Sequence, residues 1–170
     1  RLVEQLLTLA RLEAGQAPVL QPLDLAALAR QALAEQVPRA LQARQQLALD
    51  GGDRPLLVQG DGTLLAALLR NLLDNALRYS PPGAQVHLQL GRQDGEPLLS
   101  LEDSGPGLDD EALARLGERF FRQLGSGQDG SGLGWSIVRR IAAVHGAALE
   151  VDRSPALGGL RVRLRLAGPA

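Results

Sequence analysis

The sequence contains no cysteine, no methionine and no lysine, so its 18 basic residues are all arginine. The lack of cysteine excludes disulfides and thiolate zinc sites. The two histidines, His87 and His145, are far apart in sequence, which argues against a histidine-based metal site. A net charge of −1 leaves no basic excess for a nucleic-acid-binding face, so we expect no nucleic-acid partner. No apolar run approaches the roughly 18–20 residues that a membrane-spanning helix needs.

What the sequence does contain is enough apolar material for one domain. With 170 residues, 45% of them hydrophobic, the chain can form a single packed core with a short appendage. Leucines on one stripe predict that residues 1–16 are the end of a longer helix, which Gly15 can terminate. Two prolines indicate an extended linker over residues 17–23, and residues 24–167 form the predicted domain. Because there is neither an initiating methionine nor a signal peptide, we expect a fragment of a longer protein.

Hydrophobic periodicity predicts the order of elements in this domain. Asp24 is a candidate N-cap for a helix that Pro38 should kink or interrupt, and Asp61 is a candidate N-cap for a second helix ending near Tyr79. The other predicted elements are strands 46–50, 55–59, 86–90, 98–102, 148–152 and 160–166, a polar segment 108–131 and a helix 133–145. This order predicts an α+β fold in two layers, with one sheet and helices stacked on one side of it.

The helix that follows Asp61 carries two asparagines among its leucines. Asn71 and Asn75 are four residues apart, so their side chains lie one above the other on a single helix face. Asparagine is a mediocre helix former, because its amide competes for backbone hydrogen bonds. The pair can be a solvated polar face, or it can offer amide oxygens to a ligand or a metal.

Asp103 stands where a predicted strand ends in a turn rich in glycine. Gly105 and Gly107 remove side chains around it, so a flat ligand can approach the backbone. An ionised carboxylate only accepts hydrogen bonds, which suits an exocyclic amino group such as that of adenine. A lone aspartate in such a turn is also ordinary turn chemistry.

A second glycine-rich segment, Gly130-Ser131-Gly132-Leu133-Gly134, opens the last predicted helix. Backbone N–H groups at a helix N-terminus favour phosphate, although such a segment can also be a hinge. It lacks the lysine of a P-loop and does not follow a first strand as in a Rossmann fold. Arg78 and Arg122 can supply positive charge to a phosphoryl group. Together with the asparagines and Asp103, these elements indicate an ATP site with Mg²⁺.

Four of these segments resemble the motifs of bacterial sensor histidine kinases. Asn71–Tyr79 resembles the N box, Asp103-Ser104-Gly105-Pro106-Gly107 the G1 box, Phe120-Phe121-Arg122 the F box, and the segment from Gly130 to Gly134 the G2 box. The resemblance implies the two-layer α/β sandwich shared with gyrase and Hsp90, with a mixed sheet, helices on one face and a mobile ATP lid. Asn71 stands where gyrase-type ATPases carry a glutamate base, which favours phosphoryl transfer over hydrolysis.

The resemblance also implies roles for single residues. Asn75 would ligate Mg²⁺, and Asn71 would support the metal or its waters. Asp103 would bind the adenine amino group, and Arg122 would reach the γ-phosphate. The remaining roles are contacts to nucleotide and phosphates by Arg78 and Tyr79, shaping of the pocket by Gly105 and Gly107, and a phosphate cradle of Gly130, Gly132, Leu133 and Gly134.

Two departures from the family pattern stand out. Trp135 replaces a small or aliphatic residue; we expect it to pack against the lid or the sheet and not to be catalytic. The phosphoacceptor motif of the family, which resembles His-Glu-Leu-Arg-Thr-Pro, is absent, and we interpret His87 and His145 as structural. Residues 1–16 resemble the second helix of the dimerisation hairpin that normally carries that histidine.

The expected protein is therefore the ATP-binding catalytic domain of a sensor histidine kinase. It would use Mg²⁺ and ATP and phosphorylate a histidine in the hairpin of the same protein, which passes the phosphoryl group to a response regulator. We expect this chain to be monomeric and cytoplasmic, and the full-length protein to be a homodimer in the bacterial inner membrane. The alternatives are a nucleotide-sensing module without phosphotransfer and a serine kinase of the anti-sigma type.

Overall fold

A computed structural model of the chain describes residues 2–116 and 132–169. Within these residues the helices are α1 (Leu2–Glu13), α2 (Leu25–Gln42), α3 (Gly62–Arg78), α4 (Asp110–Arg115) and α5 (Gly134–Val144). The strands are β1 (Gln21–Asp24), β2 (Gln46–Asp50), β3 (Leu57–Gly60), β4 (Gln85–Gln93), β5 (Glu96–Asp103), β6 (Ala148–Arg153) and β7 (Leu160–Arg165).

Five strands form a mixed sheet in the order β2-β4-β5-β7-β6. β2 and β4 are parallel, and the other neighbours are antiparallel. Asp94 and Gly95, with φ of 52° and 82°, form the two-residue turn of the β4–β5 hairpin. Alternate residues of the central strands are buried: Val86, Leu88, Leu99, Leu101, Val162 and Leu164. They share one core with α2, α3 and α5, which confirms the predicted α+β architecture with helices on one face.

The prediction of a single sheet was wrong. β3 pairs antiparallel with β1 in a separate two-stranded sheet, and β1 lies partly in the segment predicted to be a linker. The Asp24 side chain explains this pairing, because its Oδ1 accepts from the N–H groups of Ala26, at 3.0 Å, and Leu56, at 2.9 Å. The predicted N-cap thus also fastens the chain that leads into β3.

Pro38 was predicted to kink or interrupt its helix, and the interruption does not occur, because α2 runs from Leu25 to Gln42 with Pro38 inside it. Proline removes one backbone donor, which leaves the carbonyl four residues earlier without its helical partner. Both Pro38 and Ala34 are exposed, so this carbonyl lies on the solvent side of α2. Water can satisfy it there, and the helix continues.

α1 confirms the predicted N-terminal helix and packs against α5. Leu9 and Leu12 are buried in the common core, whereas Val3 and Leu7 on another side are exposed. None of the helices in the described ranges is long and apolar enough to cross a membrane.

His145 links the end of α5 to the start of α3. Its Nε2 accepts from the backbone N–H of Asp61, at 3.0 Å, and its Nδ1 donates to the carbonyl of Ile141, at 2.8 Å. Asp61 in turn caps α3, since its side chain accepts from the N–H of Leu64. Both N-caps predicted from the sequence are confirmed, and His145 has a structural role.

Candidate functional site

A cavity opens between the C-terminal half of α3, the first turn of α5 and the adjoining ends of β5 and β7. Most of its wall is apolar: Leu72, Ala76, Leu101, Pro106, Leu108, Leu116, Leu160 and Val162. The remaining lining residues are Asn75, Tyr79, Asp103, Gly107 and Trp135. Four predicted site residues from two motifs, the N box and the G1 box, therefore meet in one place.

Asp103 is the acidic group of this cavity and is held by backbone donors. Its Oδ1 accepts from the N–H groups of Gly105, at 3.0 Å, and Leu160, at 3.2 Å. Oδ2 makes no hydrogen bond within the described part of the chain, so it can accept one from a ligand. Burial raises the pKa of Asp103 above its ordinary value, and the two backbone N–H groups oppose part of that rise.

Gly159, for which no role was predicted, fixes Asp103 from the other side. Its N–H donates to the carbonyl of Asp103 at 3.0 Å. A Cβ atom at Gly159 would overlap the Oδ1 and the carbonyl oxygen of Asp103. The turn itself requires glycine only at position 158, where φ is 86°. Glycine at position 159 is required for a different reason, which is its close approach to Asp103.

Gly105 is tight for a similar reason. A Cβ there would lie 3.1 Å from Asp103 Oδ1, from Ser80 Oγ and from the carbonyl oxygen of Tyr79. The absence of a side chain at Gly105 therefore lets Asp103 approach the end of α3, and the role of Gly105 in shaping the pocket stays a prediction. Gly107, with φ of 70°, lines the cavity itself.

Asn71 and Asn75 lie on one face of α3, as predicted, and the first turn of α5 covers them. A Cβ at Gly134 would lie 3.3 Å from Asn71 Oδ1 and 3.6 Å from both amide atoms of Asn75. The Nδ2 of Asn75 is buried and has no hydrogen-bond partner in the described structure. A buried amide without a partner is costly, so this amide is available for a further hydrogen bond.

Asn71, in contrast, is already bonded. Its Nδ2 donates to the carbonyl of Ala67 at 2.8 Å, and its Oδ1 accepts from Nε2 of Gln5 at 3.0 Å. Gln5 belongs to α1, so the N-terminal helix touches the asparagine face of α3.

Arg78 lies one turn beyond Asn75 but does not line the cavity. Its guanidinium donates to Oδ2 of Asp74 at 2.9 Å, and Arg39 of α2 pairs with the other oxygen of the same buried carboxylate. One carboxylate between two guanidinium groups leaves this cluster positively charged. The role of Arg78 as a phosphate contact stays a prediction.

The G2 segment is described only from Gly132 onward. Gly132 has φ of 73°, and Leu133 occupies the N-cap position of α5 without a side-chain cap. The Leu133 side chain is buried in the core, so only its backbone can contribute to a phosphate cradle. Gly130 and Arg122 lie outside the described residues, as do Phe120 and Phe121.

The described residues contain no group of three or more histidine, cysteine, aspartate or glutamate side chains that could hold a metal. A cation at this site would therefore need amide oxygens, ligand phosphates and water. Mg²⁺ commonly binds in this way, through few protein ligands and substrate phosphates.

Comparison with known families identifies this arrangement. The sequence pattern of the family described as "Histidine kinase-, DNA gyrase B-, and HSP90-like ATPase" matches residues 60–169, which span α3, the cavity and the last three elements. The chain belongs to this family. Within it, the similar proteins of known name are sensor kinases, and this ATPase domain corresponds to their ATP-binding catalytic part.

The sensor protein RssA of Serratia marcescens, which regulates swarming motility, is 41% identical over 154 residues, covering 88% of this chain and 32% of that protein. A mycobacterial sensor histidine kinase, MprB, has a structure with a TM-score of 0.75 at 33% identity, covering 88% of this chain and 98% of that one. Full-length ShkA in complex with AMPPNP gives a TM-score of 0.82 at 31% identity, covering 99% of this chain and 36% of that one. The ATPase domain thus spans about a third of the length of the curated relatives it matches.

Proposed function

We propose that this chain binds Mg²⁺-ATP in the cavity and is the catalytic half of a sensor histidine kinase, which transfers the γ-phosphate to a histidine of a hairpin domain. The observation that carries the proposal is that Asp103 and Asn75 line the same cavity. The Oδ2 of Asp103 can accept a hydrogen bond, and the buried Nδ2 of Asn75 has no partner in the described structure. The first group suits the amino group of adenine, and the second suits the metal end of a nucleotide.

The residues present fit a magnesium ion. Asn75 would hold it, because no hydrogen bond in the described structure fixes its amide, so the oxygen can turn toward a cation. Asn71 lies on the same face and would bond the waters of the metal. When bound, Mg²⁺ would neutralise charge on the phosphates.

The other residues bind and orient the substrate. The apolar walls exclude water from the base, and Asp103 fixes the edge of the base. The backbone around Gly132 and Gly134, at the positive end of α5, favours phosphate. Arg78 and Arg122 would contribute positive charge, and correct positioning would supply most of the catalytic effect.

Isothermal titration calorimetry with ATP and ADP, with and without Mg²⁺, tests nucleotide binding. We expect both nucleotides to bind and Mg²⁺ to raise the affinity for ATP. Arg70, exposed on the outside of α3, offers a control variant, Arg70→Ala, that should bind as the wild type does. No heat of binding for either nucleotide with Mg²⁺ present would refute the proposal.

Phosphotransfer needs a second experiment, because the acceptor histidine is absent from this chain. A hairpin domain from a related sensor kinase is supplied in trans with ATP labelled at the γ-phosphate. Label on the hairpin supports the kinase, whereas tight ATP binding without any label supports the nucleotide-sensing alternative. Label on serine of an added protein would instead support the anti-sigma type of kinase.

The partners and location proposed for the whole protein follow from the same assignment. The relatives are named sensor proteins, and this chain covers about a third of their length. We expect the intact protein to be a homodimer in the bacterial inner membrane, with this part in the cytoplasm and a response regulator as the recipient of the phosphoryl group.

A further inference from the structure

Trp135 is the second residue of α5 and directly follows Gly134, which covers Asn71 and Asn75. It is partly buried, packs against the core and lines the cavity that contains Asp103. Trp135 was predicted to pack against the lid or the sheet; it packs against the common core of helices and strands, and its place in the cavity lining was not predicted.

The distribution of aromatic residues in the chain supports a functional role for Trp135. The sequence has one tryptophan, one tyrosine and two phenylalanines. Only Tyr79 and Trp135 lie in the described ranges, and both line this cavity. The buried core is built from leucine, valine, isoleucine and alanine, so Trp135 is an aromatic exception among the residues that pack on it.

The composition of the lining indicates which part of a nucleotide would contact this ring. Of the two asparagines, only Asn75 lines the cavity. Asn71 and Arg78 lie outside the lining. The cavity is therefore the apolar compartment for the base and sugar, with the phosphate end at its margin. Arg139, one turn after Trp135, donates to the carbonyl of Leu116 at 2.6 Å and so fastens another lining residue to α5.

We propose that Trp135 is a nucleotide-binding residue whose indole packs on the adenosine part of the ligand. This rests on the proposed function, because it requires that the cavity take a purine nucleotide. Purine rings stack well on aromatic side chains and depend little on hydrogen-bond geometry for that part of their affinity. Leucine at this position would keep an apolar wall but lose the flat face.

The sole tryptophan makes the test direct, because all tryptophan emission of the 170-residue chain comes from Trp135. The chain is titrated without Mg²⁺ with adenosine, with ADP and with inorganic tripolyphosphate. We expect adenosine and ADP to change the emission in a saturable way and tripolyphosphate to leave it unchanged. A response to tripolyphosphate alone would overturn the assignment to adenosine.

Calorimetry with ADP on matched variants then separates stacking from packing. Trp135→Phe should bind within about threefold of the wild type, and Trp135→Leu roughly tenfold more weakly, because stacking on one base has about that effect. Arg140→Ala, an exposed change on α5, serves as the control and should bind as the wild type does. Thermal unfolding of each variant checks that the fold is kept.

The failures of the two proposals can be told apart. If wild-type protein binds no ADP, the proposed function fails and this inference fails with it. If wild-type protein binds ADP but adenosine does not change its tryptophan emission, and Trp135→Leu binds ADP equally well, only the role of Trp135 is overturned.

Discussion

At the proposed base end of the cavity Asp103 is held by backbone donors, whereas at the proposed phosphate end the Nδ2 of Asn75 lacks a partner in the described structure and Asn71 is bonded to another helix. The base end is preorganised, and the raised pKa of Asp103 shows the cost of burying that carboxylate. Under the proposed function, we expect recognition of the base and response to the metal to be separable, so that substitutions can probe one end while sparing the other.

Gly159→Ala should have the largest effect, because it breaks the preorganised end. The added Cβ would overlap backbone and side-chain oxygens of Asp103, so β5 and the start of β7 must move apart. We expect ADP binding to be lost in calorimetry and the free energy of unfolding to fall by roughly 1–3 kcal/mol, the usual cost of overpacking. Gly91→Ala is the control, since nothing lies within 4 Å of a Cβ there. Unchanged ADP binding by Gly159→Ala would show that Asp103 does not need this support.

Asp103→Asn should have the second-largest effect, and it should weaken adenosine binding without lowering stability. The asparagine oxygen can keep the two backbone donors, but its NH₂ would then face the amino group of adenine. We expect the affinity for adenosine to fall about ten- to hundredfold, as for loss of a hydrogen bond to a charged group. Urea unfolding should show an equal or higher free energy of unfolding, because a buried charge is removed.

The pH dependence of the unfolding free energy and of adenosine affinity in the wild type tests the role of the same carboxylate. Since burial raises the pKa of Asp103, the folded protein takes up this proton at a higher pH than the unfolded chain does. As the pH falls through the raised pKa, the contribution of this group to the unfolding free energy rises and the affinity for adenosine falls. Asp103→Asn should lack this part of the pH profile; an identical profile in both proteins would assign it to another group.

Asn75→Ala should act on the other end. We expect the affinity for Mg²⁺-ATP to fall at least about tenfold, as for other disturbed metal sites. The affinity for adenosine should stay unchanged, and the unfolding free energy should be equal or higher, because a buried amide that makes no hydrogen bond in the described structure is removed. Calorimetry with both ligands and thermal unfolding measure these quantities. A parallel loss of adenosine affinity would mean that the two ends are not separable.

Gln5→Ala should have the smallest effect on the affinity for Mg²⁺-ATP and, unlike the other substitutions, should raise it. It frees the Oδ1 of Asn71 from α1, while Leu9 and Leu12 keep that helix docked. We expect Mg²⁺-ATP to bind about two- to threefold more tightly, in line with the small net energy of one such hydrogen bond. Glu4→Gln, an exposed change on the same helix, is the matched control. Weaker binding by Gln5→Ala would mean that this contact supports the site instead of competing with a ligand.

Local signals predicted much of this structure. The N-caps Asp24 and Asp61 follow from side-chain preferences that act within a few residues. The asparagine face of α3 follows from helical spacing alone. These features need no knowledge of distant parts of the chain.

The errors concern contacts between distant segments. β1 was missed because its partner, β3, lies far along the chain, and a short segment with a proline has no pattern of its own. Pro38 was misjudged because its effect depends on the solvent exposure of a carbonyl, which only the packing of α2 decides.

The missed site residues have the same explanation. Gly159 and Leu160 reach Asp103 only through the pairing of β5 with β7. The one local signal was the pair of glycines at 158 and 159, of which a turn explains only the first. Trp135 was recognised as unusual, but its place in the cavity depends on how α5 packs on α3.

The hydrogen bonds of His145 also determine its chemistry. A neutral imidazole has one nitrogen lone pair with which it can attack phosphorus, and here the backbone N–H of Asp61 occupies that lone pair. The other nitrogen carries the proton that is donated to Ile141. This ring could become a nucleophile only by releasing the backbone N–H of Asp61 at the start of the helix that holds Asn71 and Asn75, so phosphorylation of His145 would break its link between α5 and α3.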